Sequence, residues 1–335
     1  MDTNTSQALP YVEILPPGAP REVWLEERRQ GIGGSDASAV AGVNPWHTRF
    51  AVWLDKTGQT VDVEPTRAMR MGTLLEPVVK ALFVEETGIA LADVGLLRSL
   101  EWPFMQVTPD GFTADGGIFE SKTTSRWLSH EWDDEQVPDH AEVQVQHALA
   151  VTGRSHAWVA GLIDGRDLRV VRVERDEKMI AALVSLEERF WVDNVLGGDA
   201  PGVVAGDVEH FARIPADVES VTADDPARVV DLLDRWEAAK ENVKAAEEYA
   251  AGIEAELRQV AGTAEQVIDA EGAVLFTVKQ NGTFAASRFK AANPSLWDEL
   301  QVLRPTLDTE KLKANHPEEY NAHRARVLRR PKRKK

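Results

Sequence analysis

The sequence of 335 residues contains no cysteine, which excludes disulfide bridges and thiolate metal sites and is typical of a reducing compartment. It also lacks any apolar run long enough to span a bilayer. Its first twenty residues have neither the basic segment nor the apolar segment of a signal peptide. These absences predict a soluble protein of the cytoplasm with no role in a membrane.

Basic residues are scarce compared with acidic ones, at 38 against 55, and the net charge is −17. This balance argues against a simple basic nucleic-acid binder. The end of the chain, HRARVLRRPKRKK, has the opposite charge and contains no acid. It is either an arm that binds nucleic acid or a solubilising end.

The pattern along the chain predicts four segments: a flexible lead-in at 1–20, a main domain at 21–215, an extension at 216–322 and a basic tail at 323–335. The main domain alternates between helical and strand periodicity, with turn signals at Asp115-Gly116 and Asp164-Gly165. We expect a mixed α/β fold with helices flanking a central mixed sheet. The predicted helices cover residues 21–30, 36 onward, 70–87, 138–152 and 176–196. The predicted strands cover residues 89–122, 156–163 and 168–174.

Two elements are predicted in the extension. Residues 226–261 are rich in Ala, Glu and Lys and favour a long helix or short coiled coil. A hairpin is expected next, in VLFTVKQNGTFAASRF, with its turn at Asn281-Gly282. The apolar positions of the long helix recur at spacings of three, four and seven, at 229, 233, 236, 243, 250, 253, 257 and 260.

The stretch TPDGFTADGGIFESKTT, residues 108–124, carries the strongest chemical signal. Strand alternation places Ile118, Glu120 and Lys122 on one face. Asp110, at the end of the preceding strand, and Glu120 are hard oxygen ligands of the kind Mg²⁺ prefers, and Lys122 can offset phosphate charge. The alternative is a solvent-facing hairpin, but Ile118 indicates a partly buried face on which unpaired charge is costly.

Five motifs in order between residues 24 and 190 resemble the YqaJ-type phage recombinases, relatives of phage lambda exonuclease in the PD-(D/E)xK nuclease superfamily. The motifs are GIGGSDASAVAGVNPW, GTLLEP, TPDGF with GIFESKTT, VQVQHALAVTG and VERDEKMI. The resemblance implies a restriction-endonuclease-like core, Mg²⁺ as cofactor with Mn²⁺ as substitute, and duplex DNA as substrate.

The resemblance also implies a role for each matching residue. Lys122 resembles the catalytic lysine, and Gln144 resembles the glutamine that positions the water or a phosphate. Gln146 is a rival to Gln144, and only one of the two can face the site. The implied metal ligands are Glu76, Asp110, Glu120 and the backbone carbonyl of Ser121.

A second group in the same resemblance would bind the 5′-phosphate at a DNA end. It consists of Arg28 and Ser35, with Arg29 as a rival to Arg28. Gly33-Gly34-Ser35 at a helix start offers N–H groups to an anion, and arginine adds a bidentate partner. Ser35 is otherwise read as an ordinary helix N-cap.

The implied activity is 5′-to-3′ digestion of duplex DNA, which leaves 3′ single strands for recombination by a strand-annealing partner. A ring-shaped homotrimer is a further expectation from lambda exonuclease. The alternatives are an endonuclease with the same site and, in another class, a non-catalytic DNA-binding or scaffold protein.

Overall fold

The computed structural model describes residues 9–60, 66–213, 220–279, 283–300, 302 and 306–324. The chain divides into two compact units, Met1–Ile214 and Pro215–Lys335. No helix in the described ranges is long and apolar enough to cross a membrane.

Two sheets form the first unit. The larger has five strands in the order β2-β5-β6-β7-β8, and the smaller has three in the order β1-β3-β4. Only the β6–β7 pair is parallel among the paired strands, so the five-stranded sheet is mixed. The strands are β1 (Tyr11–Leu15), β2 (Leu91–Ala92), β3 (Leu96–Ser99), β4 (Gln106–Val107), β5 (Gly111–Thr113), β6 (Ile118–Thr124), β7 (His156–Ile163) and β8 (Asp167–Glu174).

Helices cover both faces of the five-stranded sheet. Those of the first unit are α1 (Arg21–Arg28), α2 (Gly34–Val40), α3 (Arg49–Lys56), α4 (Arg67–Thr87), α5 (Asp139–Thr152), α6 (Glu177–Arg189) and α7 (Val208–Arg213). Short 3₁₀ segments at Arg126–Glu135 and Ala205–Asp207 and a π-helix at Phe190–Leu196 complete this unit. The predicted mixed α/β class, with helices flanking a central mixed sheet, is confirmed.

Strand β6 lies between two clusters of buried side chains. Ile118 packs with Leu149 of α5 in one cluster, whereas Phe119 packs with Phe83 of α4 in the other. Alternation along the strand produces this division, because successive side chains point to opposite faces. Glu120 and Lys122 therefore share the α5 side of the sheet with Ile118.

A close contact with Trp132 limits the residue type at position 161, on the neighbouring strand β7. Trp132 is 2% exposed, and a Cβ added at Gly161 would lie 2.5 Å from its ring. We expect Gly161→Ala to destabilise the protein by about 1–3 kcal/mol, because the ring must shift within a packed core. Chemical denaturation measures the change.

Gly202→Ala is the matched control for that substitution, since no atom lies within 4 Å of an added Cβ there. Equal denaturation midpoints for the two variants would contradict the tight contact at Trp132.

Two local expectations were wrong. Residues Tyr11–Leu15, within the expected flexible lead-in, form a strand that pairs with β3. Helix α2 begins at Gly34 with Gly33 as its cap, so Ser35 is not the N-cap; Asp36 closes the cap by accepting from the Gly33 N–H at 3.0 Å. The predicted helix at 176–196 is present: it is α6 up to Arg189 and continues as the π-helix from Phe190 to Leu196.

The second unit contains α8 (Pro226–Ala261), whose bounds match the predicted long helix. A hairpin follows, but it joins β9 (Gln266–Ile268) to β10 (Val274–Thr277), one turn earlier than expected. The predicted Asn281-Gly282 turn and tail residues 325–335 lie outside the described residues. Four short helices complete this unit: α9 (Ala286–Ala292), α10 (Pro294–Glu299), α11 (Thr309–Asn315) and α12 (Pro317–Ala322).

Candidate active site

Asp110 is held at the start of β5 by the neighbouring strand β6. It directly precedes β5, whose Gly111 pairs with Phe119 of β6. Its Oδ2 accepts hydrogen bonds from the Ser121 backbone N–H at 2.7 Å and from the Ser121 hydroxyl at 2.6 Å. The side chain of Ser121 therefore orients Asp110, a role that the sequence did not indicate.

Glu120, Lys122 and Gln144 form a closed triangle of polar contacts. The Lys122 ammonium donates to Glu120 Oε1 at 2.6 Å and to Gln144 Oε1 at 2.8 Å. The Gln144 amide Nε2 donates to the same Glu120 oxygen at 2.6 Å. Helix α5 thus supplies the side chain that fixes the two charged groups of β6 relative to each other.

Asp110 and the three residues of the triangle line one cleft of about 550 Å³, together with Ser121 and Glu76. Glu76 lies on α4, and its Oε1 pairs with Lys80 one helical turn later at 2.8 Å. It makes no contact with Asp110 or Glu120 among the hydrogen bonds and ion pairs of the described residues. The structure places it in the cleft wall, apart from the triangle.

Burial raises the pKa of Glu120 to about 7, although Lys122 opposes the rise. The negative charges of Asp110 and Glu76 contribute to the rise. The charge on Glu120 is therefore only partly compensated by the lysine beside it. A cation in the cleft would favour the ionised carboxylate.

The cleft suits a hard cation in its chemistry but does not present a finished ligand shell. Carboxylate oxygens are the ligands that Mg²⁺ prefers, and four acids line the cavity: Glu76, Asp110, Glu120 and Glu131. Among the residues that the structure describes, however, no group of three or more His, Cys, Asp or Glu side chains is arranged to hold a metal ion. Glu76, Asp110, Glu120 and the Ser121 carbonyl remain predicted ligands.

Arg28 and Ser35 lie together at the start of α2, as the second predicted group requires. Arg28 Nη2 lies 3.2 Å from the Ser35 hydroxyl and 2.5 Å from Asp36 Oδ1. They line a second cleft of about 350 Å³, which shares Ser35 and Gln144 with the first. A Cβ at Gly34 would lie 3.0 Å from the Gln144 side chain, so glycine permits this close approach.

The structure distinguishes Arg28 from Arg29, and Gln144 from Gln146, by the contacts that each side chain makes. Arg29 turns away to Asp55 at 3.5 Å, whereas Arg28 contacts Ser35. Gln146 is 1% exposed and is used in packing: its amide donates to the Glu174 carbonyl at 2.7 Å, and its carbonyl accepts from the Asp176 N–H. Gln144, and not Gln146, faces the cleft.

Two aromatic residues of the cleft, Trp46 and His140, were not predicted from the sequence as part of the site. Trp46 is 69% exposed, and its ring meets that of His140 edge-on at 5.0 Å. Burial, together with the nearby Lys122, lowers the pKa of His140 to about 4, so its ring is neutral at pH 7. The only sequence signal was the Asn44-Pro45-Trp46 turn.

Comparison with known proteins shows a similarity within the first unit. Residues 23–155 match the family model described as the YqaJ-like viral recombinase domain. Four of the five motifs lie within this segment, and the resemblance to this family is confirmed there.

One particular relative is the uncharacterised protein YqaJ of Bacillus subtilis (strain 168). It is 42% identical over 188 residues, which cover 55% of this chain and 59% of that protein. The chain therefore spans less than two thirds of the length of this relative.

The solved structures that match this chain include two described as exonucleases. The alkaline exonuclease LHK-Exo from Laribacter hongkongensis has a TM-score of 0.46 at 24% identity, covering 51% of this chain and 91% of that one. A phage-related exonuclease from Haemophilus somnus 129PT has a TM-score of 0.39 at 14% identity, covering 52% and 100%.

Proposed function

We propose that the first unit is a Mg²⁺-dependent deoxyribonuclease of phage-type recombination. The observation that carries this proposal is the cleft in which the Glu120–Lys122–Gln144 triangle lies beside Asp110. The viral recombinase family of residues 23–155 supports a role in recombination. Mn²⁺ is expected to substitute for Mg²⁺, since both take oxygen ligands.

Bound Mg²⁺ would activate water and neutralise charge on the phosphate. Asp110 and Glu120 would hold it, with Glu76 and the Ser121 carbonyl completing the set. The Lys122 ammonium, kept in place by Gln144, would offset the negative charge of the scissile phosphate. Ser121 would keep the Asp110 carboxylate turned toward the cleft.

We further propose that digestion begins at a 5′ end and proceeds 5′-to-3′ on duplex DNA. The second cleft supports this step, because Arg28 and the N–H groups near Ser35 suit a terminal phosphate. Its junction with the first cleft at Ser35 and Gln144 would set the distance between the DNA end and the cleaved bond. The product would be a 3′ single strand for an annealing partner.

Digestion of end-labelled linear duplex tests the proposed polarity. With Mg²⁺, a 5′ label should be released first as mononucleotide, and a 5′-hydroxyl end should react more slowly than a 5′-phosphate end. Closed circular duplex should remain intact. Nicking of the circle would favour an endonuclease, and binding without digestion over a range of metals would favour a DNA-binding scaffold protein.

The raised pKa of Glu120 predicts that Mg²⁺ binding depends on pH. Since the metal needs the ionised carboxylate, binding at neutral pH should release a proton, and affinity should fall by roughly tenfold for each pH unit below the pKa. Isothermal titration calorimetry measures both the affinity and the proton release, because a released proton makes the heat of binding depend on the ionisation enthalpy of the buffer.

Glu120→Gln is the control for this prediction: it keeps the shape of the side chain but removes a proposed ligand that titrates, so the Mg²⁺ binding that remains should be weaker and should release no linked proton. Mg²⁺ affinity that is constant from about pH 6 to about pH 8 in the parent would contradict a linked proton.

A further inference from the structure

Helix α8 carries an apolar seam that continues through five heptads. The first residue of each heptad, position a, is Val229, Trp236, Val243, Ala250 or Leu257, and the fourth, position d, is Leu232, Ala239, Ala246, Ile253 or Val260. A sustained repeat of this kind is the pattern of a coiled coil. The seam extends about 47 Å along the helix at 1.5 Å per residue.

Much of the seam is exposed in the part of the chain that the structure describes. Leu232, Val243, Ile253 and Val260 are 49%, 59%, 43% and 69% exposed, and Trp236 is half-buried. Ten apolar residues in one continuous stripe form a larger patch than scattered surface leucines and valines would. Such a stripe is typical of a surface that another helix covers.

Charges beside the seam are divided between the two halves of the helix. The amino-terminal half is flanked by the bases Arg228, Arg235 and Lys240, and the carboxy-terminal half is flanked by the acids Glu247, Glu254 and Glu256. In a coiled coil, residues in these flanking positions select the partner and its orientation. A helix that is basic at one end and acidic at the other complements itself only when reversed.

We propose that α8 pairs with α8 of a second copy of this chain in an antiparallel coiled coil. With Val243 opposite Ala246 of the other copy, every a position meets a d position along the whole seam. The same register brings Arg228 near Glu256 and Lys240 near Glu254, each pair formed twice. A parallel dimer would instead place Arg235 beside Lys240 and lose these attractive pairs.

Contacts within the helix are compatible with this pairing. Glu254 already bonds Arg258 at 2.6 Å, but both side chains are about 60% exposed, so that pair is weak and easily shared. Lys240 lies over the Trp236 ring with its Nζ 4.6 Å from the ring centre. Its long stem can therefore cover the edge of the seam while its charge reaches a partner.

The mass of the full chain in solution tests the pairing. Sedimentation should show chains in pairs, at twice the 37.0 kDa chain mass or a multiple of that. Ile253→Asp should halve the particle mass because it puts a charge into the seam, whereas Ala255→Asp on the opposite face should leave it unchanged. A single-chain mass for the parent, or a mass that Ile253→Asp does not alter, would overturn the proposal.

Charge exchange provides a second test that does not disturb the seam. Arg228→Glu should weaken pairing, and adding Glu256→Arg to it should restore the parent mass, because the two positions face each other in the reversed register. Failure of the double variant to recover pairing while its helix content stays normal would exclude this register.

The absence of native cysteine makes orientation directly measurable. Leu232→Cys and Leu257→Cys, mixed as separate proteins, should be joined by a short thiol cross-linker into a mixed dimer. Leu232→Cys alone should not cross-link, because its copies would be about 38 Å apart. The reverse result would show a parallel dimer. None of these readouts depends on nuclease activity, so they remain valid if the proposed function fails.

Discussion

Asp110→Asn is expected to reduce Mg²⁺-dependent digestion of duplex DNA by about a thousand-fold, which corresponds to roughly 4 kcal/mol of lost transition-state stabilisation. Asparagine keeps an oxygen that can accept from the Ser121 N–H and hydroxyl, so the local fold should survive. It removes the negative charge that a cation in the cleft requires. Initial rates on linear duplex with 5′-phosphate ends measure the change.

Asp167→Asn is the matched control, since it makes the same substitution at a side chain that is 58% exposed and pairs only with nearby Arg169 in the described contacts. Its digestion rate should equal that of the parent. If Asp110→Asn also digests at the parent rate, while circular dichroism shows both variants folded, then the cleft around Asp110 is not the site of hydrolysis.

The part of the site on one hairpin was predictable from local sequence. Asp115-Gly116 sets the turn, and strand alternation then places Glu120 and Lys122 on the same face as Ile118. These relationships depend on neighbours within a few residues, which a single sequence records. Gln144 was recognised only by its resemblance to the family motif, because its contact with Lys122 spans 22 residues.

The parts that could not be predicted depend on where whole elements pack. Trp46 belongs to a turn, His140 to α5, and their meeting follows from the packing of α2 beside α5. The same holds for Glu76: helical periodicity predicted α4, but its place in the cleft wall depends on how α4 packs against β6. Two apolar residues of the same helix, Leu74 and Val78, are 69% and 45% exposed.

A buried ion group beneath the second cleft was also invisible in the sequence. Asp36, on α2, is 2% exposed and contacts Lys56 of α3 at 2.7 Å and Arg28 of α1 at 2.5 Å. Lys56 also donates to the Arg28 carbonyl at 3.0 Å. Three helices therefore meet at one carboxylate, and Arg28 depends on that carboxylate for its position beside Ser35.

Asp36→Ala is expected to destabilise the first unit by about 3–5 kcal/mol, because it leaves the fully buried Lys56 ammonium without its carboxylate. Asp55→Ala is the matched control: Asp55 lies 3.8 Å from the same ammonium but is 23% exposed, so its loss should cost about 1 kcal/mol or less. Midpoints of guanidinium denaturation compare the variants.

The stability difference between the parent and Asp36→Ala depends on pH because the Asp36 carboxyl group titrates. Burial pushes the pKa of Asp36 upward, but Arg28 and Lys56 outweigh it and hold the pKa well below its usual value of 3.8. A lowered pKa contributes stability above the unfolded-state value and loses it as pH falls toward the folded-state value. The gap between parent and Asp36→Ala should therefore be full at neutral pH and shrink below about pH 4.

Adding Lys56→Met to the Asp36→Ala variant distinguishes two causes of its lower stability. One is the unpaired Lys56 charge, and the other is the packing lost at position 36. If the uncompensated ammonium causes most of the destabilisation, the double variant should be more stable than Asp36→Ala alone. If it is equally unstable, the cost comes from packing at position 36. Only the first outcome makes Asp36 the charge that holds Arg28 and Lys56 together beside the proposed DNA-end site.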